Sequence, residues 1–355
     1  MKKILRIVVV TIILALLAFV IWPEKSYKPY AVSDAYQAKV DAITMPTFPD
    51  AWQWQSYTAN DGAHIRWGHT AFNPNAKATI ILMPGYTTAL DSFAEHLSHW
   101  ADQDYNVVGI DIRGQGGSDR PLANPEKYWI DDFATYADDI SGLLAGEIAP
   151  KNDAPLIIVA SSFGAHVAYR TVGDHETEVD GMVLNAPAFR PQVPPFSTGV
   201  AKKVFATMKF LGKSKRYAPG QHGWRPLSDD MTKTDACSDY LPRYNLHDVA
   251  VVKNPKLRMG AATNQWISQM IKSGEYVTAA GYSDKITIPI QMNLIDNDGI
   301  IVNAVAEQAC ADNPNCSFTY VPDTKHCILY GDDAAVARVY TAVDAMVLQL
   351  TQIID

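Results

Sequence analysis

From residue 52 onward the chain alternates short apolar runs with stretches of helical spacing. Trp52–Thr58 and His64–Phe72 flank the turn Asn60-Asp61-Gly62 and read as paired strands. Thr79–Met83, Asn106–Asp111, Leu156–Ala160 and Gly181–Asn185 are short runs rich in Ile, Val and Leu, the pattern of strands buried on both faces. Helical spacing fills the gaps at Asp91–Asp102, Trp129–Ile148 and Phe163–Val172. This order predicts an α/β fold: a doubly wound, mostly parallel sheet with helices on both faces.

The alternation stops between Arg190 and Ile286, where Pro-rich, basic-aromatic and helical pieces follow one another, among them Thr198–Leu211 and Asn264–Lys272. It resumes with a strand at Ile288–Ile295, a helix at Asn303–Ala311, a strand at Ser317–Val321 and a final helix at Asp333–Ile353. An excursion of roughly 95 residues is too long for a plain loop. The spacing therefore predicts a core of residues 51–189 and 287–355, with 190–286 inserted as a mainly helical cap over the carboxyl edge of the sheet.

Ahead of this domain, Lys2, Lys3 and Arg6 form a basic leader to the apolar run Ile7–Trp22. The run ends Phe19-Val20-Ile21-Trp22-Pro23, without the small-residue spacing of a cleavage site and without a cysteine to lipidate. Counted from Ile4 it approaches the ~20 residues that span a bilayer. Trp22, Tyr27 and Tyr30 suit an interfacial belt. Residues 1–22 are thus expected to be an uncleaved transmembrane signal-anchor, and 23–50 a linker. The excess of positive charge on the leader puts the N-terminus in the cytoplasm. The domain is then expected on the far side of the inner membrane, attached by a single pass.

Composition narrows the partners. Of 355 residues, 48% are hydrophobic and 19% charged, which suits a globular chain. The net charge of −8 argues against nucleic acid as a partner, which needs a clustered positive surface. Four cysteines allow Cys310 to bridge Cys316 across a short turn, leaving Cys237 and Cys327 as a long-range pair. No C-x-x-C or His-rich cluster points to zinc, and no metal or organic cofactor is implied.

Candidate chemistry begins at Ser162. In Leu156-Ile-Ile-Val-Ala-Ser-Ser-Phe-Gly-Ala165 it stands between a buried strand and a helix, where a sharp turn lifts a hydroxyl above the sheet. Gly164 fills the second glycine position of G-x-S-x-G, and Ala160 replaces the first. Ser161 has Phe163 at that spacing and fits less well. A serine hydroxyl needs a base, and the base an orienting carboxylate. Asp298 follows the strand Ile288–Ile295, with Asp296 as competitor. His326 follows the next strand and precedes the last helix. His96, His99 and His166 fall on helices, while His222 and His247 fall in the cap, with substrate contact and turn capping both open. The N–H of Phe163, after the nucleophile, and of Tyr86, in the turn Pro84-Gly85-Tyr86-Thr87, are expected to hold a developing oxyanion. Asp111–Ser118 (Asp-Ile-Arg-Gly-Gln-Gly-Gly-Ser) looks like a phosphate loop but lacks the spacing and the lysine, and reads as a structural turn.

Pro84-Gly-Tyr86, Asp111–Ser118, the Ser162 turn, Asp298-Gly-Ile-Ile-Val-Asn303 and His326-Cys-Ile-Leu329 together resemble the lysophospholipase and monoacylglycerol-lipase branch of the α/β-hydrolases. Asn254–Gly260 through Trp266 adds a likeness to bacterial inner-membrane lysophospholipases. The resemblance spans about residues 50–350. It implies a serine carboxylic-ester hydrolase acting on lysophospholipids or monoacylglycerols, with Ser162, His326 and Asp298 as triad and a lipid ester as partner. Ala160, and Cys327 where an acidic residue often follows the histidine, depart from the pattern. Another ester, a thioester or a peptide would use the same residues, and a non-catalytic lipid-binding module is the alternative of another class.

Overall fold

A computed structural model of the chain describes residues 24, 26–148, 154–194 and 197–354. Eight strands form one sheet in the order β1-β2-β4-β3-β5-β6-β7-β8. They are β1 (Gln53–Thr58), β2 (His64–His69), β3 (Thr79–Met83), β4 (Asn106–Ile110), β5 (Leu156–Ser161), β6 (Gly181–Asn185), β7 (Ile290–Ile295) and β8 (Cys316–Val321). β1 and β2 are antiparallel to their neighbours, and all other pairs are parallel. The central strands β4 and β6 are buried at every position, as their unbroken apolar runs require, whereas the edge strands β1 and β8 are largely exposed.

Helices α2 (Ala94–Asp102), α3 (Ala134–Leu143), α4 (Phe163–Asp174), α8 (Asn303–Ala311) and α9 (Asp333–Ile354) cover the sheet. The α2 and α9 helices are joined through buried His96, whose Nδ1 lies 2.7 Å from the Tyr340 hydroxyl and whose Nε2 lies 2.9 Å from the Leu329 carbonyl. Burial drives the His96 imidazole pKa down to about 4, so it stays neutral in this role.

Between β6 and β7 lie α5 (Thr198–Phe210), α6 (Leu241–Lys253) and α7 (Asn264–Val277). The α5 and α7 helices meet through Ala201, Phe205 and Ile271. The segment is stitched to the core where Tyr128 donates its N–H to Ala261 and accepts from the Thr263 N–H. That pairing explains one departure from the periodicity: residues 129–133 do not extend the helix, which begins only at Ala134. The α6 helix is a second departure, since its run Val249-Ala-Val-Val252 has no helical spacing of its own.

Residues 23–50 are more than a linker. Within them α1 (Asp34–Asp41) is capped by Ser33, whose Oγ accepts the Tyr36 N–H at 3.2 Å. Tyr36 and Val40 are buried against Val249, Val252 and Leu257, and the Tyr36 hydroxyl donates to Asp248 at 2.5 Å. The expected anchor, residues 1–22, lies outside the described residues. The expected single-pass placement in the inner membrane is corrected: among the described residues no helix is long and apolar enough to cross a membrane. The longest, α9, is 22 residues long but amphipathic. Val336, Val339, Val343 and Val347 are buried at helical spacing, while polar residues such as Arg338 and Gln349 break its apolar run.

Candidate active site

Ser162 occupies the turn between β5 and α4 with φ 51° and ψ −114°, a conformation that costs a side-chain-bearing residue about 1–3 kcal/mol. Surrounding bonds hold it there. Its N–H donates to the Asn185 carbonyl at 2.8 Å, and its carbonyl accepts from the N–H groups of His166 (3.0 Å) and Ala188 (3.1 Å). Gly164 packs against the end of β3, where an added Cβ would lie 2.4 Å from the Pro84 carbonyl oxygen and 2.5 Å from that of Met83. Both are backbone atoms and cannot swing aside. Gly164→Ala is therefore expected to lower stability by about 1–3 kcal/mol and to reduce turnover by displacing Ser162. Urea unfolding and kcat on one ester check both; an unchanged variant would contradict the packing argument.

Asp298 sits in the turn after β7. Its Oδ1 accepts the N–H groups of Ile300 (2.7 Å) and Ile301 (3.0 Å), and its Oδ2 lies 2.7 Å from His326 Nδ1. Burial pushes this carboxyl upward, but the bond and charge of His326 and the two N–H groups outweigh it and hold the pKa below the ordinary carboxylate value. Asp296, the competing acid, is exposed. His326 Nε2 lies 2.7 Å from Ser162 Oγ. An ionised carboxylate only accepts, so Nδ1 carries the proton and Nε2 is left to accept the Ser162 hydroxyl. The structure thus brings Ser162, His326 and Asp298 into one hydrogen-bonded row.

Phe163 follows Ser162 at the start of α4, and Tyr86 lies in the turn after β3. The turn after β3 lies against Ser162, since a Cβ on Gly85 would be 3.4 Å from the Ser162 Cβ. Among the described residues neither the Tyr86 nor the Phe163 N–H has a hydrogen-bond acceptor. Gln115 was not singled out by sequence reasoning, yet it shapes this turn. Fully buried, it donates from Nε2 to the Gly85 carbonyl at 3.0 Å and accepts the Tyr128 hydroxyl at 2.6 Å. The loop Asp111–Ser118 is structural: Asp111 is buried and accepts from the N–H groups of Leu90 and Gly117, both at 2.9 Å, and from the Arg66 guanidinium. His166 is structural too, bonded to the Ala188 carbonyl and Ser273 Oγ, with burial driving its pKa down to about 3.

Both cysteine pairs form disulfides. Cys310–Cys316 closes a local turn, while Cys237–Cys327 spans 90 residues and joins the segment before α6 to the residue after His326. The Cys327 N–H also donates to the Cys237 carbonyl (2.7 Å), and Lys325 Nζ to that of Asp235 (2.9 Å). Closing so long a loop restricts the unfolded chain, so Cys237→Ser/Cys327→Ser is expected to cost about 2–4 kcal/mol. Loosening beside His326 should lower kcat more than it changes KM. Urea midpoints and steady-state kinetics check this, and full activity in the double variant would show that the hydrogen bonds suffice.

The parallel sheet, the strained serine turn and the serine–histidine–aspartate row define an α/β-hydrolase. Residues 74–333 match the model of the family described as "Serine aminopeptidase, S33", and the chain belongs to it. Among curated proteins it is similar to lysophospholipase L2 of Escherichia coli strain K12, 24% identical over 275 residues covering 76% of this chain and 78% of that one. It is also similar to the probable lysophospholipase L2 of Haemophilus influenzae, 23% identical over 265 residues covering 71% and 80%. Of solved structures, a soluble variant of monoglyceride lipase from Saccharomyces cerevisiae matches 92% of this chain and 99% of its own at TM-score 0.63 and 14% identity. A carboxyl esterase from Bacillus coagulans covers 84% and 99% at TM-score 0.63 and 15% identity. The chain is an ester hydrolase of the α/β-hydrolase type.

Proposed function

We propose that this enzyme cleaves the acyl ester of a lysophospholipid or a monoacylglycerol through an acyl-enzyme on Ser162. The observation that carries the reading is the pair of 2.7 Å contacts linking Ser162 Oγ to His326 and His326 to Asp298. Ser162 and His326 open into a cavity of about 410 Å³ between the sheet edge and segment 190–286. Phe93, Met231, Met259 and Leu329 give it apolar walls suited to an acyl chain. The likeness to lysophospholipases favours the same substrate.

In this mechanism Ser162 Oγ attacks the ester carbonyl while His326 Nε2 takes its proton, and Asp298 stabilises the imidazolium. The Tyr86 and Phe163 N–H groups bind the oxyanion. Collapse expels the glycerol alkoxide, which takes the proton from His326. Water, activated by His326, then attacks the acyl-enzyme and frees the fatty acid and Ser162. Segment 190–286 acts as the cap, and 51–189 with 287–355 as the core.

The test is a panel of a lysophospholipid, a monoacylglycerol, a p-nitrophenyl ester and an aminoacyl anilide, with fluorophosphonate labelling alongside. Labelling at Ser162 and faster turnover of the lipid esters are expected. An unlabelled protein inert on all four would refute the reading, and preference for the anilide would transfer it to a peptidase.

A further inference from the structure

The cavity above Ser162 runs into a second, outer groove of about 660 Å³. The two share His222, Arg225, Leu227, Ser228 and Lys233 in their walls, so these residues form the neck between them. Arg225 and Lys233 are exposed, and among the described residues neither forms an ion pair, although Asp229 and Asp230 stand in the same loop. Elsewhere the cavity is unlike this. Its inner carboxylates are already engaged, Asp248 by the Tyr36 hydroxyl and Asp235 by the Cys237 N–H at 2.7 Å.

The loop that carries the neck is built. Ser228 Oγ accepts the N–H groups of Thr232 and Lys233, both at 3.3 Å. Lys39 of α1 donates to the Asp230 carbonyl at 3.2 Å, and Asn245 of α6 to that of Met231, also at 3.2 Å. Beyond the neck, Asp229 and Asp230 line only the outer groove. Hydrogen bonds from Thr232 lower the Asp230 carboxyl pKa to about 2, keeping it ionised. From the inside outward the path offers a nucleophile with apolar walls, then two unpaired cations, then two carboxylates. An acyl ester, a phosphodiester and an amine follow one another in that order along an amine-bearing lysophospholipid.

We infer that Arg225 and Lys233 form a subsite for the phosphodiester of a lysophospholipid headgroup, with Asp229 and Asp230 facing a headgroup amine. His222 adds to the neck only as an imidazolium, because its Nδ1 is turned to the Gly223 carbonyl at 2.7 Å. The inference rests on the ester-hydrolase reading above and chooses between its two lipids, since a monoacylglycerol leaves both cations unused. Both cations are exposed, so solvent screens each contact and the discrimination expected of the pair is modest.

The test compares kcat/KM for lysophosphatidylethanolamine and a monoacylglycerol of equal chain length, both kept monomeric, in the full chain and in Arg225→Gln/Lys233→Gln. The ratio of the two is expected to favour the phospholipid and to fall by roughly 2- to 30-fold in the variant. Calorimetric binding of sn-glycero-3-phosphoethanolamine to Ser162→Ala should weaken to the same degree when both cations are replaced. Inorganic phosphate binding as tightly would overturn the headgroup assignment in favour of a free anion. An unchanged ratio with Ser162 still labelled by fluorophosphonate overturns the subsite and leaves the ester hydrolase standing, whereas absent labelling overturns both.

Discussion

Ser162→Ala is expected to lower kcat on every accepted ester by on the order of 10⁶-fold, the scale seen when the nucleophile of a serine triad is removed. Alanine keeps the Cβ, so the strained backbone at φ 51° is borne equally by both residues and folding stability should hardly change. What disappears is the oxygen 2.7 Å from His326 Nε2. Ser161 is no substitute, because its Oγ is buried and among the described residues has no hydrogen-bond partner to act as base. Residual turnover above that of the empty site would come from water activated by His326. Single-turnover rates beside a thermal melt give the measurement. A correctly folded Ser162→Ala enzyme retaining a tenth of wild-type activity would end the proposed mechanism.

How far the site could be foreseen depended on whether each residue's neighbours were local. The strands β3 to β6 declare themselves because burial on both faces leaves unbroken apolar runs. Ser162 and Asp298 follow buried strands and His326 follows the exposed edge strand β8, so the alternation of strands and helices puts all three at the same sheet edge. Gln115 carries no local sign of its role, because its partners, the Gly85 carbonyl and the Tyr128 hydroxyl, come from other turns of the chain. Residues 129–133 have helical spacing, but Tyr128 pairs with residues 261 and 263, across more than one hundred positions, and the helix starts only at Ala134. The α1 helix hid in a Pro- and Tyr-rich stretch, and only Ser33 before it, a capping residue, gave a local sign. Arg225 and Lys233 carry no motif at all. Their meaning comes from a cavity shared with Ser162, which no spacing records.

Asp298→Asn is expected to reduce kcat by about 10⁴-fold while leaving the geometry nearly intact. Asp298 Oδ1 holds the turn by accepting from Ile300 and Ile301, and an asparagine carbonyl oxygen can do the same. The amide nitrogen would then face His326 Nδ1. Being a donor, it selects the tautomer with the proton on Nε2, which can no longer accept the Ser162 proton. The loss should fall on kcat rather than KM, since no contact to substrate is removed. The wild type sets the contrast in acid. Because the folded carboxyl lies below its unfolded value near ~3.9, its contribution to stability is present above that pH and fades as pH falls through the lower folded value. Asp298→Asn lacks that contribution, so the stability gap between the two proteins should close in strong acid. Urea unfolding across pH, with kcat and KM at neutral pH, gives the measurement. Near-normal turnover in Asp298→Asn would mean that another group orients the imidazole.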